Sequence, residues 1–336
     1  VLDKLDYLQS LGVTAIYFNP IFDSPSNHRY DGRDYRTIAP SLGDLALFNL
    51  LDQETEARGM KLILDLVPNH VSSDSIYFDR FGRHPEVGAC ESVDSPYRDW
   101  FYFTPANPPG TGVCAGDTNY EAWFGVVTLP KVNTTNNDAV REFWMRADDA
   151  TAKYWLRQGA DGYRVDVANE IHPSFFQEWR PILRTEDPEV QTYSETWNES
   201  DVRPMVLGDK FDSTMNYRFA TALLSFLRDT PFSDGDGNLN LNPLEPSKFE
   251  SALRGIQEDY PEPAWESAMN LLDSHDTNRA VVKLDHDGIT GTGANRTPVN
   301  GFEDGKARLK TVAILQFTLP GAPTVYYGDE VGLAGF

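Results

Sequence analysis

The chain has 336 residues, with 51 acidic against 29 basic side chains and a formal charge of −22 with neutral histidines. That balance excludes a nucleic-acid backbone binder, which needs a cationic footprint. The length makes two ordinary domains or one large α/β barrel, and no run approaches the roughly 18 apolar residues of a membrane span.

The opening segment VLDKLDYLQSLG reads as an amphipathic helix rather than a signal sequence, because Leu2, Leu5, Leu8 and Leu11 recur at helical spacing and stop at Gly12. Residues 14–19 then form a short apolar strand. A helix over about 44–58, with Leu45, Phe48 and Leu51 inward, ends at Gly59 and feeds a strand over 61–67. A helix over about 139–158 ends at Gly159 before a strand over 161–166. Further strands fall at 191–195, 211–216, 268–273 and 323–327, with helical patterns between most of them, such as Phe249, Ala252, Leu253 and Ile256.

Alternating strands and helices argue for parallel pairing, and runs this apolar are covered on both faces. Seven strands are one short of a closed eight-stranded barrel, and the first residue falls where a first strand would precede the opening helix. The expected fold is therefore a TIM (β/α)8 barrel lacking its first strand, from a protein that extends at both ends. An open doubly wound sheet would carry a Gly-rich phosphate loop after its first strand, and the sequence has none.

Residues 71–130 break the rhythm with Pro, Gly, aromatics and acids. A structureless loop of that length is rare in a compact domain, so the segment reads as a small inserted subdomain, and residues 1–70 and 131–336 form the barrel. Its two cysteines, Cys90 and Cys114, lack His or Cys neighbours at zinc spacing and read as a disulfide or as two buried thiols. A bridge favours an oxidising compartment, hence an extracellular address over a cytoplasmic one.

Several strands end in polar residues: Asp65 with Asn69 and His70, Arg164 with Asp166, Glu195, and Asp273 with His275 and Asp276. In a parallel barrel these ends converge on one face. Any one of them reads as an ion pair or a helix cap, but such a density of charge is costly unless used or paired. Two carboxylates flanking one bond can cleave a glycoside, one attacking the anomeric carbon while the other protonates the departing oxygen and later activates water. A third raises the pKa of the proton donor by repulsion and helps hold the strained sugar. Asp166, Glu195 and Asp276 can supply that trio. Arg164, two residues before Asp166 on a strand, points to the same face and would keep the nucleophile ionised. His70 and His275 can donate to sugar hydroxyls, and Tyr30, Trp123, Phe124 and Trp197 offer rings for sugar faces, although an aromatic is more often core.

The segments DLVPNH (65–70), GYRVDVANE (162–170), ETWNE (195–199) and LLDSHDT (271–277) resemble, in order, the four signature regions of the α-amylase family, glycoside hydrolase family 13. LPKVN (129–133) and GAPTVYYGDEVGL (321–333) resemble two auxiliary regions. The resemblance implies a retaining mechanism with Asp166 as nucleophile, Glu195 as general acid/base and Asp276 as transition-state stabiliser. It places His70, Arg164 and His275 on substrate-contacting positions, Asp65 and Asn69 under the pocket floor, and Tyr30 of NHRYDGRDY on the ring beneath the sugar. The segment 71–130 would be the family's domain B.

Asn169 and Glu170 stand where secreted amylases carry Lys and His, the latter helping to hold a calcium ion. Here they are similar to the cyclomaltodextrinase, neopullulanase and maltogenic amylase branch, as are Asn27-His28-Arg29-Tyr30 and the segment around Lys131. In that branch Glu170 lies near acceptor sugars; with Asn169, Lys131 and the Trp197 ring it completes the expected substrate-binding set. No cofactor is required on this reading. A calcium ion is the alternative at Asp234, Asp236 and Asn238, where oxygen ligands alternate but Leu239 stands in place of the EF-hand Gly; otherwise this is an acidic surface loop.

The expected activity is retaining hydrolysis of α-1,4-glucosidic bonds in maltodextrins, cyclodextrins, starch or pullulan. The alternatives are an α-1,6-acting or mixed amylopullulanase, a transglycosylase or isomerase on the same site, and a non-catalytic amylase-like binding subunit, against which all three carboxylates count. The expected partner is an α-glucan, with neither nucleic acid nor membrane. A homo-oligomer through segments outside this sequence is common in the branch.

Overall fold

The computed structural model describes residues 1–103, 120–233, 240–285, 289–290, 297–298 and 301–335. The chain divides into two compact units, Val1–Glu195 and Thr196–Phe336.

In the first unit, strands β1 (Ala15–Phe18), β4 (Lys61–Leu66), β5 (Gly162–Val165) and β6 (Gln191–Ser194) pair in parallel in that order. The register sets Tyr17 beside Ile63, Ile63 beside Gly162, and Gly162 beside Gln191. A short antiparallel pair, β2 (Phe22–Asp23) and β3 (Asp34–Ile38), follows β1. The helices between the parallel strands are α2 (Leu45–Glu56), α3 (Asp138–Arg141), α4 (Thr151–Arg157) and α5 (Pro173–Glu186), with α1 (Leu5–Ser10) before β1. The Asp44 side chain caps α2 by accepting from the Leu47 N–H.

The glycines expected to stop helices, Gly12, Gly59 and Gly159, all have positive φ. At Gly159 (φ +110°) a Cβ would also fall 2.2 Å from Asp52 Cγ, so only glycine lets the end of α4 close onto α2. The single helix expected over 139–158 is two. α3 runs into a π-helical turn at Glu142–Arg146, the backbone turns extended at Ala147 (ψ 154°), and helix resumes at Thr151. The intervening Asp148 and Asp149 are poor helix formers, and each is held by an arginine, Arg157 and Arg36 respectively.

Trp155 of α4 is fully buried, donates its indole N–H to the Tyr35 carbonyl at 2.8 Å, and packs on Phe22 and Phe48 with ring centroids 5.4 Å away in each case. The insertion after β4 is built on Tyr77, Phe78, Tyr97, Trp100, Phe101 and Tyr120, linked by ring contacts. Antiparallel bridges at His70–Lys131, Phe101–Val132 and Ala122–Pro130 tie it to the end of β4. Cys90, in this segment, is buried and disulfide-bonded; Cys114 lies outside the described residues.

In the second unit, β7 (Ser213–Thr214) leads to a parallel bridge between Met215 and Met269, and β10 (Met269–Leu271) pairs in parallel with β13 (Ala322–Thr324). These are the last three strands expected from the sequence. Two short antiparallel pairs, β8 (Phe232–Ser233) with β9 (Asn240–Leu241) and β11 (Ile289–Thr290) with β12 (Thr297–Pro298), lie outside the parallel set. The helices are α6 (Glu199–Met205), α7 (Tyr217–Phe226), α8 (Pro246–Asp259), α9 (Glu262–Glu266), α10 (Ala280–Leu284) and α11 (Glu303–Thr318). They enclose a core that includes Phe219, Leu223, Ile256, Val281 and Val312, with Phe249 and Leu253 of α8 packed at its margin. The calcium candidates Asp234, Asp236 and Asn238 lie outside the described residues. Among those described, no helix is long and apolar enough to cross a membrane.

Candidate active site

Successive side chains of a strand point to opposite faces, so Arg164 and Asp166 share one face at the end of β5. Their neighbours are Asp65 on β4 and Glu195 just past β6. Arg164 is completely buried and holds all three carboxylates. Its Nη1 donates to Asp65 Oδ2 (2.8 Å), Asp65 Oδ1 (3.0 Å) and Asp166 Oδ1 (2.9 Å), and its Nη2 lies 2.9 Å from Glu195 Oε2. A planar fork suits this bridging; a lysine point charge would not supply it.

Three buried carboxylates on one cation cannot all ionise cheaply. Burial pushes Asp166 well up, the Glu195 charge adds to this, and Arg164 opposes it. Because the two acids repel each other, the Asp166–Glu195 pair titrates as a unit rather than as two separate residues. Burial also raises Asp65, to about 6, against Arg164 and two tyrosine hydroxyls that favour its ionised form. Those hydroxyls, of Tyr17 and Tyr30, donate to Asp65 Oδ2 at 2.6 and 2.8 Å.

The backbone adds its own constraint. Val167, directly after Asp166, is left-handed (φ +39°, ψ 49°), a conformation that costs a β-branched residue strain and is found where function demands it. The turn aims the Val167 N–H at Glu195 Oε2 (2.8 Å) and the Ala168 N–H at the Glu195 carbonyl (3.3 Å).

His70 stacks on Trp123 (centroids 5.1 Å apart, planes at 17°). Its Nδ1 lies 3.1 Å from Asn69 Nδ2, an amide donor, which leaves the ring proton on Nε2. Burial lowers His70 to about 4, so the ring is neutral near pH 7. Nε2 is buried and makes no hydrogen bond of good geometry among the described residues, although the Tyr30 backbone favours its proton. The Tyr35 hydroxyl lies 3.1 Å from both the Val67 and His70 carbonyls, donating to this stretch of backbone. Nearer the surface, Lys131 Nζ lies 3.6 Å from Glu170 Oε2, and Asn169 is exposed.

The first unit thus gathers Tyr30, Asp65, Asn69, His70, Arg164, Asp166 and Glu195, with Lys131 and Glu170 paired. Trp197, His275 and Asp276 belong to the second. There, His275 Nε2 lies 3.1 Å from Asp276 Oδ2, and the Asp276 N–H donates to Ser274 Oγ at 3.1 Å. Ser274 Oγ is 3.0 Å from the Tyr217 hydroxyl, and Trp197 stacks flat on Tyr217 at 3.6 Å. Asp273 is buried and accepts the Ala280 N–H at 2.6 Å, a structural tie to α10. Among the described residues, no group of three or more His, Cys, Asp or Glu is arranged to hold a metal.

Tyr17, Tyr35 and Val167 escaped the sequence reading. Only alternation on β1, which puts Tyr17 on a definite face, offered a signal.

The whole chain, residues 1–336, matches the family described as alpha amylase, catalytic domain. The chain belongs to the α-amylase family. Solved relatives of this α-amylase catalytic domain are (β/α)8 barrels, and each unit contains parallel strand pairs of the kind that fold uses. It is 40% identical over 353 residues to an amylopullulanase of Thermoanaerobacter thermohydrosulfuricus, covering 99% of this chain and 23% of that protein. It is 36% identical to neopullulanase 2 of Thermoactinomyces vulgaris, covering 100% of this chain and 49% of that one. Among solved structures, the debranching enzyme of Nostoc punctiforme superposes with a TM-score of 0.83 at 34% identity, over 99% of this chain and 63% of that one. The chain therefore spans 23% and 49% of these two curated relatives.

Proposed function

We propose that this α-amylase-family domain hydrolyses α-1,4-glucosidic bonds in maltodextrins, cyclodextrins, starch or pullulan with net retention. The observation that carries the reading is Arg164, whose guanidinium joins Asp166 to Glu195. In the first step, with a proton on Glu195, ionised Asp166 attacks the anomeric carbon while Glu195 protonates the departing oxygen. In the second step Glu195 takes a proton from water, which displaces Asp166 from the glycosyl ester and regenerates the starting configuration. Asp276 stabilises the oxocarbenium-like transition state. His70 Nε2–H and His275 bind sugar hydroxyls, Tyr30 and Trp197 face sugar rings, and Lys131, Asn169 and Glu170 meet acceptor sugars. No step calls for a cofactor. The Cys90 disulfide supports an extracellular address.

A second reading, α-1,6 or mixed cleavage, is favoured by relatives named amylopullulanase and debranching enzyme. Pullulan separates the two, since α-1,4 cleavage releases panose or isopanose and α-1,6 cleavage releases maltotriose. Asp166→Asn and Glu195→Gln in the full-length protein are expected to lower kcat by about a thousandfold or more with the fold intact. Near-normal turnover by either purified variant would overturn the assignment.

A further inference from the structure

We infer that Tyr17 is a positioning residue for this reaction, its hydroxyl acting through Asp65 to divide the charge of Arg164 between Asp65 and the Asp166–Glu195 pair. The inference rests on the retaining reading above and deepens it. Tyr17 lies on β1 in register with Ile63, two residues before Asp65 on β4. Its ring is half-buried, and its hydroxyl donates to Asp65 Oδ2 at 2.6 Å. The same oxygen takes the Tyr30 hydroxyl (2.8 Å) and Arg164 Nη1 (2.8 Å). Asp65 is thus met by Tyr17 from β1, by Tyr30 from the segment between β2 and β3, and by Arg164 from β5. Arg164 in turn meets Asp166 beside it and Glu195 from the end of β6.

A hydroxyl that donates to a carboxylate favours the ionised form. Without the Tyr17 hydroxyl, Asp65 binds its proton at higher pH. A neutral Asp65 makes no claim on Arg164 and no longer repels Asp166, so the guanidinium acts fully on Asp166 and Glu195. Both changes favour the doubly ionised pair, in which the proton donor has been lost. The effect is confined to the window in which Asp65 is neutral in the variant and ionised in the wild type, above about pH 6. A purely structural role for Tyr17 would lower activity alike at every pH.

The test is kcat/KM for maltohexaose, whose sugar leaving group must be protonated, followed by release of reducing ends from pH 4.5 to 9 with full-length enzyme. Tyr17→Phe is expected to move the alkaline limb toward acid by about half a pH unit, while keeping kcat/KM near pH 5 within about threefold of wild type. Asp65→Asn, a permanently neutral Asp65, moves the limb the same way, and adding Tyr17→Phe to it produces no further shift. If Tyr17→Phe does not fold, 3-fluorotyrosine at position 17 keeps the packing with a stronger donor and is expected to move the limb toward alkali. Limbs fixed in place with a uniform loss of rate would overturn the inference. Glu195→Gln serves as the control: its inactivity alongside unmoved limbs refutes the Tyr17 role alone, whereas its near-normal turnover refutes the underlying reaction.

Discussion

Arg164→Met is the most searching perturbation of the site, because it keeps an unbranched apolar stem and removes the charge shared by Asp65, Asp166 and Glu195. All three acids are at least nine-tenths buried. Removing one partner of a buried ion pair costs about 3–5 kcal/mol, since the remaining charge is left uncompensated. Here the loss is limited to that range because the stranded acids can take up protons. At about 2–4 °C per kcal/mol, melting should fall by on the order of 10 °C at pH 7.5. The sign of the pH dependence follows from the same charges. Without Arg164 the folded-state carboxylates titrate further above their unfolded values, so their contribution is fully present below the unfolded pKa and is lost as pH rises. The deficit relative to wild type should shrink by half or more at pH 5. Melting followed by circular dichroism, with both proteins side by side at the two pH values, measures this. A deficit equal at both pH values, or below about 1 kcal/mol, would refute the view that Arg164 is the counter-charge of a crowded acidic site.

Gly162→Ala puts a Cβ 2.2 Å from the Gln191 carbonyl oxygen and 2.9 Å from Ile63 Cδ1, so β5 and β6 must separate. A cost of about 1–3 kcal/mol is expected, together with a lower kcat at little changed KM, because Asp166 and Glu195 ride at the ends of those strands; an unchanged melting temperature would contradict the close approach. In the second unit, burial and the neighbouring Asp273 push Asp329 up to about 9. Its stabilising contribution is present below the unfolded carboxylate range and is lost as pH rises toward 9. Asp329→Asn, which keeps a hydrogen-bond donor in place of the protonated acid, should match wild type at pH 6 and lose less melting temperature between pH 6 and 9. Parallel pH slopes for the two proteins would count against the protonated pair.

The parallel strands were legible because apolar runs of strand length, each stopped by a turn residue, carry their own punctuation, as at Gly59 before β4 and Gly159 before β5. The cluster of Asp65, Arg164, Asp166 and Glu195 was legible because polar residues ending such runs have few structural uses in common. Tyr17 was hidden, since a tyrosine on a short apolar strand reads as core until the register brings it to Asp65. Val167 was hidden too, because nothing in its side chain favours a left-handed turn; in the fold that turn brings its N–H to the Glu195 carboxylate. The break between α3 and α4 was masked by apolar spacing that continues through 139–158, although the paired acids Asp148 and Asp149 sit where it occurs.

Local periodicity and residue chemistry, both properties of neighbouring positions, determined which segments pair as strands, where helices stop and which acids are available for glycoside cleavage. Apart from the Arg164–Asp166 contact two residues along one strand, which acids share one guanidinium, which hydroxyls lean on Asp65 and which backbone N–H reaches Glu195 depend on contacts between residues 28 to 99 positions apart. Tertiary structure decides these, because only strand register and burial bring such groups within hydrogen-bond distance, and only burial makes their charges interact strongly.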